Sequence, residues 1–261
     1  MSTANLFGLP TYYQYGIGSA GFGVWRELSA HEMTTEWVLQ GECPNFPMMY
    51  HWRVLPAETS TSPERLNELE SAVNFWEGSP AIRNRLQAQM KASAEIVLFL
   101  EHFPMTLENW ISPASVAMVD EELRSTTSFL ISRGFIHFDA HFRNILTDGR
   151  QLYFSDFGLA LSKQFALSKS ELDFFEAHQF YDRHYTSAYL TNWIATRLFG
   201  AEKRDEVLSS YARGKCEKAV ESWAESILTR DARKAVAMKK FLRKLEIESK
   251  SAPYSASDFT D

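Results

Sequence analysis

Short apolar pairs and triplets separated by polar turns set residues 135–158 apart from the rest of the chain. Phe135-Ile136, Ile145-Leu146 and Leu152–Phe154 read as short buried strands, and Asp148-Gly149 between the last two is a hairpin signal. The pattern leaves polar residues at strand ends: Asp139 on the loop leaving the first strand, Asn144 at the loop's far end, Asp156 beyond the hairpin. Upstream, Glu95–Phe103 is an Ile-, Val- and Phe-rich run that predicts a strand, ending in a bend at Pro104 before a helix restarts over Thr106–Ile111. Val116, Val119, Leu123, Thr126, Phe129 and Leu130 fall at helical spacing and predict a core-facing helix over 115–132. Helices are also expected from near Val24 to residue 39, over 64–76 and 81–93, and through 168–199, where Ser168 and Glu171 fit a capping box.

Phosphoryl transfer asks a protein to align an acceptor hydroxyl with the γ-phosphate and to neutralise phosphate charge with magnesium, and oxygen-bearing side chains do both. The spacing His137-x-Asp139-x-x-x-x-Asn144, followed by Asp156-Phe157-Gly158, resembles the catalytic and metal-binding loops of the protein-kinase-like superfamily. The resemblance implies that Asp139 orients or deprotonates the acceptor, that Asn144 and Asp156 hold Mg2+, and that ATP or GTP is the donor. It also implies an α+β, two-lobed protein-kinase-like fold with a reduced or divergent N-lobe and a mainly helical C-lobe. The N-lobe and hinge would occupy 1–103, with a helical insertion at about 57–93; the C-lobe would be 104–248 and a tail 249–261.

Phe138 and His141 stand where protein kinases usually carry Arg and Lys. The D-x-H-x-x-N form is closer to aminoglycoside, choline and lipopolysaccharide-core kinases, which implies a small-molecule hydroxyl as acceptor, with His141 facing the phosphate or the acceptor and His137 propping the loop. Asp156–Ala160, in contrast, is closer to a protein-kinase segment. No proline lies between Pro113 and Pro253, so no A-P-E signature follows Gly158. A Ser/Thr protein kinase is therefore the second reading. In the segment resembling a hinge, the Glu101 carbonyl and Phe103 amide would meet the adenine, with Leu100 as gatekeeper.

The front of the chain departs from the family. Gly16-Ile17-Gly18-Ser19-Ala20-Gly21 matches G-x-G-x-x-G, which fits a phosphate-covering loop or a plain flexible turn. The first lysine is Lys91, so the usual strand lysine is missing. Arg53, on a strand over 48–55, and Arg26, on the 24–39 helix with Glu27 or Glu32 as its acid, are the candidate substitutes. This gap keeps a nucleotide-binding module without activity as a third reading. A metallohydrolase built on His137, Asp139 and His141 leaves Asn144 and the D-F-G run unexplained, and a dinucleotide-binding βαβ unit lacks a second parallel strand ending in an acid.

Composition narrows the partners. At 261 residues and 45% hydrophobic, the chain can bury two modest lobes or one large one. A net charge of −6 disfavours nucleic acid, and the basic residues from Arg230 to Lys244 share a helix with the stripe Met238, Phe241, Leu242 and Leu245, as expected of a solvated face. No apolar run is long enough for a bilayer, and the first residues lack signal-peptide character, so a cytoplasmic setting with no membrane partner is expected. Cys43 and Cys216 read as free thiols. Pro56–Pro63 reads as a polar loop and Ser249–Asp261 as a poorly packed tail.

Overall fold

A computed structural model describes residues 1–57, 62–215 and 220–259. Cys216, residues 58–61 of the expected polar loop and the last two residues of the expected tail lie outside the described residues. The fold is α+β. The first helix, α1 (Val24–Leu39), starts at Gly23, and strand β1 (Met49–Pro56) pairs antiparallel with β2 (Ala94–Leu100), with a bulge between Met49 and His51. Between these strands stand α2 (Pro63–Phe75) and α3 (Pro80–Met90), each opened by a serine N-cap and a proline in the first turn. The short strands β3 (Met105–Thr106), β4 (Phe135–Ile136), β5 (Ile145–Thr147), β6 (Leu152–Phe154) and β7 (Leu161–Ser162) make two small sheets, β3-β5-β6 and β4-β7. At the β5-β6 tip, Asp148 Oδ1 accepts the amides of Arg150 and Gln151 at 2.8 and 3.0 Å, which is why Asp-Gly turns the chain there.

Helices supply the rest: α4 (Leu107–Trp110), α5 (Val116–Ser132), α6 (Lys169–His178), α7 (Tyr181–Phe199), α8 (Arg204–Ala212) and α9 (Ser222–Ile247). The longest, α9, lies along α7 and α8, and α7 lies against α5. On α5 the expected stripe is buried at Val116, Val119, Leu123, Thr126 and Leu130. Trp37 of α1 packs its ring 5.2 Å from Phe129 and 5.7 Å from Phe135, which joins α1 to α5 and β4. A second, smaller core holds Leu9, Tyr13, Phe22, Trp76 and Ile82, so the first residues of the chain are clamped to α2 and α3.

Two expectations need correction. The 249–261 tail is packed over its described part: Tyr254 and Phe259 are buried, Tyr254 stacks 4.7 Å from His178, and the Lys250 amide donates to Glu77 at 2.7 Å. Its anchors are two aromatics and a lysine at irregular spacing among Ser, Ala and Pro, so no periodicity reveals them. Arg230, only partly exposed, is tied down where a freely solvated cation is expected. It donates to Asp120 Oδ2 at 3.0 Å and to Asp231 Oδ2 at 2.8 Å, pinning α9 to α5. No helix among the described residues is long and apolar enough to cross a membrane.

Candidate active site

Strand β4 ends at Ile136, and the next residues turn sharply because Phe138 takes a left-handed backbone, φ 64°. That turn aims two successive amides, His137 N and Phe138 N, at the buried carboxylate of Asp182, at 2.6 and 2.9 Å. Asp182 sits in the first turn of α7, 45 residues downstream of His137. The His137 ring is buried and bridges two segments. Its Nε2–H donates to the Ser155 carbonyl at 2.9 Å and its Nδ1 accepts the Asp139 amide at 3.3 Å. Both bonds suit a neutral ring, and burial lowers the His137 pKa to about 4.

The loop then closes on itself. Asn144 Nδ2 donates to Asp139 Oδ2 and to the Asp139 carbonyl, each at 3.1 Å, while the Asn144 carbonyl accepts the Ser155 amide at 2.9 Å and its hydroxyl at 2.8 Å. Asp156 follows directly, itself left-handed at φ 64°. The structure thus brings Asp139, Asn144 and Asp156 together. Left-handed backbone at two non-glycine residues costs energy that the surrounding bonds must offset, and such strain gathers at functional sites. His141 Nδ1 accepts the amides of Arg143 and Asn144, both at 3.2 Å, which leaves Nε2 facing Asp139 Oδ1 at 3.8 Å.

Charge in the cluster is unbalanced. Burial raises the Asp139 pKa to about 6; His141 opposes the shift and the nearby Asp156 adds to it. Asp139 Oδ1 is buried with no hydrogen-bond partner among the described residues. Glu27, in the first turn of α1, is also pushed up, first by burial and then by Asp156. Among the described residues no lysine or arginine is ion-paired with Asp139, Asp156 or Glu27. A cation fits this excess of negative charge. No three His, Cys, Asp or Glu side chains converge as a metal cage among the described residues, but magnesium is typically held by one or two protein oxygens together with phosphates and water. The Asn144 nitrogen is committed to Asp139, which makes its Oδ1 and the Asp156 carboxylate the atoms suited to such an ion.

Residues 13–21 lie against this cluster. Gln14 Nε2 donates to the Leu159 carbonyl, and Tyr15 Oη donates to His178 Nε2 at 2.6 Å, since His178 Nδ1 is bound to the Phe174 carbonyl. Gly16 then rests on Asp139 so closely that a methyl group there would overlap Oδ1, and a methyl at Gly21 would overlap the Gly158 carbonyl. Gly18 has open space and φ 101°. Of the three glycines, two therefore touch the cluster. His31 of α1 packs 4.8 Å from the Phe157 ring, so the helix following the glycines also lies against the 156–158 turn.

The remaining candidates are placed as follows. Arg26 is 2% exposed and donates to Glu171 Oε1 at 2.6 Å, so it is a buried structural pair and is corrected as a lysine substitute. Arg53 lies on the exposed side of β1 with its Nε on His51 Nε2 at 2.9 Å, and no hydrogen bond or ion pair among the described residues links it to the cluster. Glu32 is exposed, whereas Glu27 faces Asp156. Leu100 ends β2, the Glu101 amide donates to the Met48 carbonyl at 2.8 Å, and the Phe103 ring stacks 3.6 Å from that of Tyr153. A scan of protein-family models gives no match to this chain, and a search of curated proteins gives none. Sequence reasoning missed Asp182, Glu171 and His178 as supports. Glu171 alone carried a signal, its capping box; Asp182 is one acid in a helix and is revealed only by the amides it meets.

Proposed function

We propose that this chain is a phosphotransferase of two-lobed, protein-kinase-like architecture that moves the γ-phosphate of ATP or GTP to a hydroxyl of a small molecule. The observation that carries this reading is the convergence of Asp139, Asn144 and Asp156 on one small cluster, fixed by His137 and Asp182. Asn144 Oδ1 and Asp156 would hold magnesium, which neutralises phosphate charge when bound. Asp139, with a pKa near 6, is basic enough to accept or orient a hydroxyl proton at neutral pH and is fixed by Asn144. His141 Nε2 lies on the same side as Asp139 Oδ1, placed to donate to a phosphate oxygen or to the acceptor. In the described arrangement Gly16 covers Oδ1, so the acceptor enters when residues 14–21 lift. We infer a cytoplasmic setting, consistent with the free thiol of buried Cys43.

One observation favours a second reading. With Arg26 committed to Glu171 and Arg53 exposed and bonded to His51, the phosphate-gripping cation of the family has no counterpart among the candidates, as in a nucleotide-binding module without turnover. Labelled ATP with magnesium, offered to aminoglycosides, sugars, amino alcohols and generic proteins, separates the two readings. Label on a small hydroxyl compound is expected, falling about 10²–10⁴-fold in Asp139→Asn with nucleotide affinity kept. Label on proteins selects a protein kinase, and magnesium-dependent nucleotide binding without label selects the inactive module. Undiminished transfer by Asp139→Asn, or no nucleotide binding at all, overturns the proposal.

A further inference from the structure

A cavity of about 490 Å3 opens between the first residues of the chain, the start of α1, the end of α3 and the start of β2. It shares no residue with the Asp139 cluster. Three arginines line it, and two of them are deeply buried: Arg26 at 2% and Arg85 at 8% exposure. Each of the two has a guanidinium nitrogen that is buried without a hydrogen-bond partner among the described residues, Nη1 of Arg26 and Nε of Arg85. Arg26 is balanced by Glu171, but no carboxylate is paired with Arg85 among the described residues; its neighbour is the Phe7 ring, 5.8 Å away. A buried guanidinium without an anion is costly, because desolvation is not repaid by a partner charge. Burial accordingly lowers the Arg85 pKa, with Tyr13 as the opposing influence.

The first turn of α1 lines the same cavity. Gly23 is its N-cap, no side chain caps the helix, and the amides of the first turn carry the positive end of a 16-residue helix. Arg65 adds a third basic residue to the lining; Glu95 is the one acid among the described lining residues. The remaining wall is largely apolar, with Leu6, Phe7, Trp25 and Met90. A volume of this size suits a compact organic ligand.

We propose that this cavity is a binding site for a phosphomonoester with a small apolar body, its phosphate held by the Arg85 guanidinium and the first amides of α1. Phosphate is preferred to a planar carboxylate because the donors come from two separate elements, α3 and the start of α1, and a tetrahedral oxyanion can be met from both sides. The site lies apart from the Asp139 cluster. Its ligand joins the amino-terminal residues to α1 and α3 and thereby stabilises the segment that covers Asp139.

The test is calorimetry and thermal unfolding of the full chain with inorganic phosphate, phenyl phosphate and phenol, in EDTA. Phenyl phosphate is expected to bind more tightly than phosphate, phenol not to bind, and the affinity to fall with added salt. Arg85→Gln should weaken phenyl phosphate about 10- to 100-fold. Ala88→Glu, at an exposed lining position, places a like charge at the site and should weaken it without disturbing a buried group, which keeps the test decisive if Arg85→Gln misfolds. Asp156→Asn should leave it unchanged. Absence of binding, binding equal in Ala88→Glu, or an affinity altered in Asp156→Asn, which would place the phosphate in the transfer cleft, overturns the proposal.

Discussion

Residues 135–160 and residues 1–39 face each other across the same cluster and are built in opposite ways. In the first region most of the bonds that set the geometry are short in sequence, with Asp182 the exception at 45 residues: His137 to Ser155 spans 18 residues, Asn144 to Asp139 five, and Ser155 to Asn144 eleven. In the second the anchors are remote: Gln14 reaches Leu159 across 145 residues, Tyr15 reaches His178 across 163, and Arg26 reaches Glu171 across 145. A geometry made by local bonds leaves a fixed spacing in the sequence, whereas one made by remote bonds leaves only residues of ordinary type. The motif at 137–158 is therefore legible, and the path of the amino-terminal segment over Asp139 is not.

The sharpest break to that contrast is the Arg26–Glu171 pair, the remote anchor with the largest expected effect. Arg26→Met leaves a buried carboxylate without its cation and should cost about 3–5 kcal/mol in urea unfolding, whereas Arg26→Met with Glu171→Leu should recover most of it. A double variant as unstable as the single would mean that the capping box, and not the pair, carries the loss. Asp182 tests whether the local region is as self-sufficient as its short bonds suggest. Asp182→Ala strands two buried amides and should cost about 2–4 kcal/mol, with Asp182→Asn intermediate; an unchanged midpoint for Asp182→Ala would show that the 137–144 loop holds itself.

The glycines probe where the two regions touch. Gly16→Ala forces Asp139 or the 13–21 path to move and should cost about 1–3 kcal/mol. Gly18→Ala meets open space and should cost only the strain of φ 101°, about 1–2 kcal/mol. The two differ in what they do to transfer, since only Gly16→Ala displaces Asp139, so equal transfer rates in both variants would separate Gly16 from the reacting groups.

The smallest effect is electrostatic. The folded Asp139 pKa, about 6, lies above its ordinary value of 3.8. The folded state therefore holds a proton that the unfolded chain has released between those values, and this residue's contribution to stability falls as pH rises through that window. Asp139→Asn should become more stable relative to the parent between pH 4 and pH 7, read from melting midpoints. A constant difference would remove the burial cause. The transfer rate should rise with pH through about 6 in the parent.

The sequence by itself determined the hairpin at Asp148-Gly149, the α5 stripe, the Ser168–Glu171 capping box and the grouping of Asp139, Asn144 and Asp156 at strand ends. Each depends on residues within one short stretch of chain, so periodicity and turn chemistry suffice to specify it. Only the tertiary structure decided that Asp182 holds the 137–138 amides, that Gly16 rests on Asp139, that the tail packs through Tyr254 and Phe259, and that Arg85 lies buried beside the start of α1 with no paired acid among the described residues. Those outcomes follow from which surfaces meet when the core closes. A carboxylate, a glycine or a guanidinium gives no sign in one dimension of the partner that burial will bring to it.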